Sequence, residues 1–585
     1  MNSAPLLQDR QFLRSRGQGA PLRIGVLLDG FTQPAWVARA LALIGQSDFA
    51  AVAFAVRHRR APGPVLPAGR LARWMSILGK PERRRHLLYE KYLQWDQSRH
   101  APPPESNPFT PVDCTALFAG LPCLDVQPRG ARFIHRFRDE DVAAVRDLAP
   151  DVLLRFGFNI IHGPMLSAAR HGMWSFHHGD NDVYRGGPAH FWELVEHSPE
   201  SGVLLQVLSE ELDAGVVLSK AVVATAPGLS LLRNRVNPYW LGSSFVLRKL
   251  HELHEHGWEK VKARAVPPQP APKASHIYRR PGNGQMVSFL ADGLTRAGRS
   301  RLRRASAWDY WRIGWRRSPR PAHAVTPFPA AEFQWLASPR GRFFADPFLL
   351  DDPDGGAPWL LYEDLECAVR RGVLRAARLS ETGELTGDRV ILDTGGHLSY
   401  PFAWREPEGY YMIPESAGAR RVDLYRADHP GGPWRLEAPL LEDAAGLDTT
   451  VWRDHDGRWW MWTCLQGPAR SGPELWLFHA PAITGPWTPH PANPVGQHVR
   501  HSRPAGAIIV TPAGPLRPVQ DNSVRYGYQL HFRLITALSP DDYREEAHST
   551  VAPALWPNLE GVHTYNRLGE WEVIDGIFPG GVPGG

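Results

Sequence analysis

Two adjacent histidines stand in the stretch SFHHGDNDVYRGGPAHFW, which runs from Ser175 to Trp192. His177 and His178 can exchange protons near neutral pH. Asp180, Asp182 and Arg185 can orient or charge-balance them, and Asn181 adds an amide. So many titratable groups beside flexible glycine backbone are costly in a core and common in a site. The competing reading is a solvated loop. In that reading His178 is an exposed neighbour of His177, Asp180 and Asn181 form a turn, and Arg185 pairs with a carboxylate beneath the loop. His162, His171 and His190 are read as structural or surface residues, and no cluster here has metal-ligand spacing.

These residues need a scaffold to position them. "LRIGVLLDG" reads as a buried strand ending at Asp29-Gly30, and "PAWVARALALIGQ" as a helix with Pro34 near its start. "FAAVAFAVRH" is a second strand, "DEDVAAVRDLAP" a helix stopped by Pro150, and "DVLLRFGF" a strand that opens into Gly157. Strands alternating with helices imply an open parallel α/β sheet, whose ligands bind beyond the carboxyl ends of the strands. The loops at Gly157 and His177 both belong to that edge. "LGSSFVLRKLHELHEHGWEKV" is a closing helix, so this domain is bounded at 21–262. Residues 61–111 read as a Pro- and Arg-rich insertion.

The chain has 585 residues, enough for two to four domains, with 43% hydrophobic and 22% charged residues, as in ordinary globular proteins. A formal charge of +6 is mild for this size and does not argue for nucleic acid. Four widely spaced cysteines exclude a disulfide framework or a zinc ribbon as the organising principle. No apolar run has the length of a signal peptide core or a bilayer span, so the expected location is cytoplasmic. Residues 263–326 form a Pro-rich linker and a basic connecting helix. Peripheral contact with anionic lipid through that helix is the alternative to plain solvation.

From 327 to 578 the pattern changes to short β-rich runs separated by turns such as "DPDGG" and "DHDG". An internal repeat superposes Asp346-Pro-Phe, Tyr400-Pro-Phe, Asp448-Thr-Thr and Arg503-Pro-Ala, at intervals of 54, 48 and 55 residues. A four-stranded unit of this length is one propeller blade. Four such units plus the remainder after Leu538 imply five blades, whose packing accounts for many of the 22 tryptophans.

The first domain resembles the folate-dependent formyltransferases, the family of methionyl-tRNA and sugar N-formyltransferases. The residues that carry the resemblance are His177, Tyr184-Arg185-Gly186 seven residues later, and Leu212-Asp213-Ala214-Gly215. The resemblance implies N10-formyltetrahydrofolate as cofactor, no metal, and transfer of a formyl group to an amine, with an amino sugar or sugar nucleotide as acceptor. It implies His177 as base or oxyanion donor, Asp213 as its partner, and Ser175 in the place of the family asparagine. Phe156, Gly157, Phe158, Asn159, His178, Asp180, Asn181, Tyr184 and Arg185 would line the folate and acceptor pockets. A serine hydroxyl is shorter than an amide, and loss of one oxyanion donor typically costs about two to three orders of magnitude in rate. Either another group substitutes, with His178 and Asn181 nearest in sequence, or the reaction is no longer formyl transfer. The polar run Gly179–Val183 points to a different acceptor pocket.

The propeller resembles the five-bladed arabinanase and fructosidase type of glycoside hydrolase through "FADPF" and "LDTTVW". It more closely resembles the N-terminal domain of plant glucosamine inositolphosphorylceramide transferases through "HLSYPFAW", "YYMIPES" and "SRPAGAII". Asp346, Tyr400, Glu415, Asp448 and Arg503 would line its axial funnel. The expected roles there are glycan or glyco-conjugate binding first, structure second and hydrolysis by paired carboxylates third. The leading expectation for the whole chain is a formyltransferase-like enzyme. Its rival is a binding or scaffold protein with a degenerate formyltransferase domain.

Overall fold

The run Ile24–Leu28 is apolar throughout because it is buried on both faces of a parallel sheet. In the computed structural model this run belongs to strand β1 (Leu22–Leu28), followed in chain order by β2 (Ala50–His58), β3 (Cys123–Val126), β4 (Val152–Arg155), β5 (Met173–His177), β6 (Glu200–Val207) and β7 (Val216–Ala224). The structure describes residues 5–59, 84–130, 134–211, 215–266, 276–306 and 310–579. The chain divides near Ala297 into two compact units.

The first unit is built on a seven-stranded sheet ordered β7-β6-β5-β4-β1-β2-β3. β6 alone runs antiparallel to its neighbours. From β1 the chain winds outward through β2 and β3, then returns to β4 on the other side of β1. That reversal opens a crevice beyond the carboxyl ends of β1 and β4, the usual ligand site of such sheets. Helix α1 (Ala35–Gln46) begins directly after Pro34 and buries Trp36, Val37, Leu41 and Ile44. The unit also begins before residue 21: Asp9 is buried and accepts hydrogen bonds from Arg39 and Ser244. Residues 61–83 of the 61–111 insertion lie outside the described residues. The rest includes helix α2 (Leu87–His100), anchored where Tyr92 Oη donates to Leu229 O at 2.6 Å and Asp96 accepts from Leu232 N at 2.8 Å.

The second unit is a five-bladed propeller, each blade a four-stranded antiparallel sheet with one extra strand in blade four. Its boundary differs from the expected residue 327. Tyr310–Arg317 and Gln334–Trp335 pair with Trp571–Phe578 and Tyr565–Leu568 to make blade five. The remainder after Leu538 is therefore not a blade by itself, since Tyr543–Val551 completes blade four. Joining the two ends of the segment in one sheet closes the ring and leaves no open edge there. The stretch read as a connecting helix is helical only over Asn283–Ser306, after which it enters this sheet. Among the described residues no helix is long and apolar enough to cross a membrane.

Candidate functional sites

β5 carries Ser175 and ends at His177, at the carboxyl edge of the sheet. Side chains two apart on a strand share a face, so Ser175 and His177 point the same way. The imidazole Nε2 donates to the backbone carbonyl of Tyr184 at 2.9 Å. That bond places the proton on Nε2 and makes Nδ1 the basic nitrogen of the neutral ring. Gly179 makes the bond possible: a Cβ there would meet His177 Nε2 at 3.0 Å and Tyr184 O at 3.2 Å.

Ser175 is buried, and its Oγ accepts from Arg155 Nη1 at 2.8 Å. Arg155 ends the neighbouring strand β4 and also donates to Phe158 O at 3.3 Å. On the other side, Gln206 of β6 is the register partner of Ser175 and Leu204 that of His177. Gln206 is 2% exposed, and its Oε1 has no hydrogen-bond partner among the described residues. Sequence reading missed both Arg155 and Gln206. Asp213, with Leu212 and Ala214, lies outside the described residues. Gly215 next to them fits because a Cβ would come within 1.9 Å of Val207 O.

The loop after His177 is held from β7. Lys220 Nζ donates to Asp180 Oδ1 and Asp182 Oδ2, both at 2.7 Å. Asp180 also forms the expected turn, accepting from Asp182 N at 3.0 Å, with Asn181 between them. His178 is not an exposed neighbour. It is half-buried, stacked on Tyr239 with ring centroids 3.6 Å apart. Burial, with His190 close by, holds it well below the ordinary histidine range. His190 itself is buried beside Glu193, as the structural reading expects. Arg185 reaches Glu211 at 3.4 Å.

Phe156-Gly157-Phe158-Asn159 follow β4 into the crevice. Gly157 packs against β1, where a Cβ would meet Asp29 N at 2.5 Å. Phe158 takes positive φ (65°) and its N–H donates to Asp29 Oδ1 at 3.0 Å. A cavity of about 380 Å³ opens here, lined by Asp29, His58, Arg59, His135, Phe158 and Asn159. The four loop residues thus adjoin β1 and β4, while His177, Ser175 and Gln206 form a row on β5 and β6.

The propeller axis is a second site. Asp346, Tyr400 and Asp448 lie on the innermost strands of blades one to three, each where the register slips, with φ of 50°, 44° and 46°. Left-handed φ at three equivalent non-glycine positions stores backbone strain, which the axial hydrogen bonds offset. Asp346 accepts from Tyr400 N at 3.1 Å and from Thr564 Oγ1 at 2.9 Å. Tyr400 Oη hydrogen-bonds with Thr450 Oγ1 at 2.8 Å and accepts from Gly506 N at 2.7 Å. Asn566 accepts from Ala507 N and donates to Pro347 O, linking blades four, five and one.

Arg503 starts the innermost strand of blade four and donates to Asp448 Oδ2 at 2.5 Å and to Glu415 Oε2 at 3.0 Å. Burial alone would raise Asp448, but the Arg503 guanidinium holds it below the usual carboxylate range. The four repeat residues and Glu415 are thus joined through shared hydrogen bonds, but three more titratable groups escaped that reading. His563 Nδ1 bonds Asp575 at 2.7 Å, and Nε2 lies 3.6 Å from Asp346. Burial pushes Asp346 up to about 6 against the pull of His563. Burial, then the charges of Asp346 and Glu415, push Glu363 well above the carboxylate range. Donor atoms of Asp346, His563 and Asp575 lie within 4.8 Å of one another, a set that could hold a cation. Each of the three already has a hydrogen-bond partner within the protein.

Residues 329–555 match the family model described as Glucosamine inositolphosphorylceramide transferase 1, N-terminal. Glucosamine inositolphosphorylceramide transferase 1 of Oryza sativa subsp. japonica is 30% identical over 211 residues, 35% of this chain and 28% of the relative. The chain thus matches less than a third of that relative's length. Methionyl-tRNA formyltransferase of Chlorobium phaeovibrioides is 34% identical over 126 residues, 21% of this chain and 37% of the relative. Among solved structures, phosphoribosylglycinamide formyltransferase from Anaplasma phagocytophilum is 16% identical, covering 39% of this chain and 82% of its own, with a TM-score of 0.24. The chain therefore joins a formyltransferase-like α/β unit to a five-bladed propeller that resembles the N-terminal part of glucosamine inositolphosphorylceramide transferase 1.

Proposed function

We propose that the first unit transfers a formyl group from N10-formyltetrahydrofolate to an amine, with an amino sugar as the acceptor class. The observation that carries this reading is the row of His177, Ser175 and Gln206 at the carboxyl end of β5, within the part of the fold shared with formyltransferases. The residues suit such a ligand: Gln206 Oε1 and His178 Nδ1 are buried polar atoms that lack a partner among the described residues. Phe156 to Asn159 would hold the folate at the crevice, and bound formyltetrahydrofolate would supply an activated one-carbon group.

An amine that gains a bond to the formyl carbon must shed a proton. His177 Nδ1 takes that proton and returns it to the departing nitrogen, so the ring ends as it began. The Lys220 clamp on Asp180 and Asp182 holds the backbone that carries Tyr184 O, which in turn fixes the ring. The test is single-turnover transfer to a panel of amino sugars. His177→Ala is expected to lower the rate by about two to four orders of magnitude, the usual range for a general base. Absence of transfer from the wild type across the panel, or indifference to His177→Ala, would support the binding-protein reading instead.

A second reading concerns the propeller and is favoured by Arg503. Its guanidinium lies 5.1 Å from the centre of the half-exposed Tyr526 ring, above Asp448 and Glu415. An aromatic face beside charged hydrogen-bonding groups suits a sugar ring. Titration calorimetry with amino sugars and neutral sugars tests it, and Tyr526→Ala should abolish any binding seen.

A further inference from the structure

Resting on the formyl-transfer reading, we infer that Gln206 supplies the hydrogen bond to the formyl oxygen that Ser175 cannot. The Ser175 hydroxyl is engaged on both sides. It accepts from Arg155 at 2.8 Å, and its own proton points to Phe176 O at 3.4 Å. A donor committed to a backbone carbonyl on its own strand is not aimed at a ligand.

Gln206 stands directly opposite Ser175 in an antiparallel pair, so both side chains emerge on one face, with Cβ atoms roughly 4.5–5.5 Å apart. His177 is on that face too, two residues along. Gln206 is almost fully buried, yet its Oε1 makes no hydrogen bond among the described residues. Buried amide atoms without partners are rare, because such an atom gives up its water without gaining a hydrogen bond in return. Turning the amide by half a rotation exchanges oxygen for N–H, so this position can present a donor. A glutamine reaches one methylene further than the family asparagine whose place Ser175 takes. It does so from the neighbouring strand, on the face that Ser175 and His177 share.

Negative charge gathers on the formyl oxygen as the amine adds, and a preorganised amide N–H stabilises it most when that charge is greatest. Gln206 changes no covalent bond and moves no proton. Arg155 is a positioning residue, since its guanidinium fixes Ser175 and Phe158 O and so sets the wall behind the amide.

The full chain is loaded with 5-formyltetrahydrofolate carrying carbon-13 in the formyl group, and the carbonyl stretch is read by isotope-edited infrared difference spectroscopy. In the wild type the bound stretch is expected below its value in Gln206→Met, which has similar volume and no amide. Ser175→Asn added to Gln206→Met should lower the stretch again, because it restores an amide on β5. Single-turnover rates should follow, falling about 100-fold or more in Gln206→Met and recovering at least tenfold in the double variant, while folate affinity stays within about threefold. Were Gln206→Met not to fold, Gln206→Asn keeps an amide but withdraws it by one methylene, and the stretch should again rise. An unchanged stretch and rate in the folded variant would overturn the role of Gln206 and leave formyl transfer standing. Failure of the wild type to bind the labelled folate would overturn both.

Discussion

Replacing Tyr400 by phenylalanine removes one oxygen from the centre of the propeller. Tyr400 is fully buried, and its hydroxyl joins blades two, three and four through Thr450 Oγ1 at 2.8 Å and Gly506 N at 2.7 Å. The Thr450 hydroxyl keeps longer contacts to Asp448 O and Gly506 O, both at 3.4 Å, after the change. The Gly506 N–H has no such alternative. One net hydrogen bond is worth about 1 kcal/mol, and leaving a buried donor unsatisfied adds about 1–3 kcal/mol. The expected loss is therefore about 2–4 kcal/mol. For a unit of this size each kcal/mol moves Tm by about 2–4 °C, so the propeller transition should fall by roughly 4–16 °C. Differential scanning calorimetry of the full chain reads it, with near-ultraviolet circular dichroism at low temperature to show that the fold is retained. A drop of less than about 2 °C would refute the argument that this hydroxyl ties three blades together.

Glu545 is expected to govern part of the acid limb of stability. Burial works against its charge, but Arg517 and Arg533 hold its pKa down at about 2, below the ordinary 4.5. The folded value lies below the unfolded one, so the stabilisation is complete above about pH 4.5 and is lost as pH falls toward 2. Its size is on the order of 3 kcal/mol. Glu545→Gln should remove that limb from urea titrations between these pH values and cost about 3–5 kcal/mol at neutral pH, because Arg517 is left buried with a weaker partner. Lys220→Met should leave Asp180 and Asp182 facing each other without their shared cation, lowering stability by about 1–3 kcal/mol. Limited proteolysis should then cut the loop between His177 and Arg185 sooner than in the wild type, and an unchanged cleavage pattern would show that Lys220 is not the clamp.

The α/β order of the first unit was legible from residue pattern alone. Its strands are continuous apolar runs and its helices have apolar residues at helical spacing, and both follow from local geometry and burial. The pattern put the loop holding His177 at the carboxyl edge of that sheet, and the structure has Ser175 and His177 at the end of β5 there. The propeller was legible through its repeat, because Asp346, Tyr400, Asp448 and Arg503 recur at blade-length intervals. A repeat is visible only where each unit is contiguous in the chain. Blade five is assembled from both ends of the segment, so the residues that bring His563 and Asp575 to the axis carried no periodic signal.

What the linear order could not hold is register. Gln206 lies beside Ser175, and Lys220 beside Asp180 and Asp182, only because β6 and β7 fold back along β5 in one particular alignment. A slip of one residue would turn each of those side chains to the opposite face. The same holds for charge. The sequence shows that Asp448, Glu415 and Arg503 are ionisable. Their burial around one guanidinium, and the opposite pushes on Asp448 and Glu363, exist only once five strands converge on an axis. Residue type and local pattern determined the elements and the candidate groups. Long-range pairing, which costs chain entropy and is decided by the packing of whole faces, determined which of those groups meet.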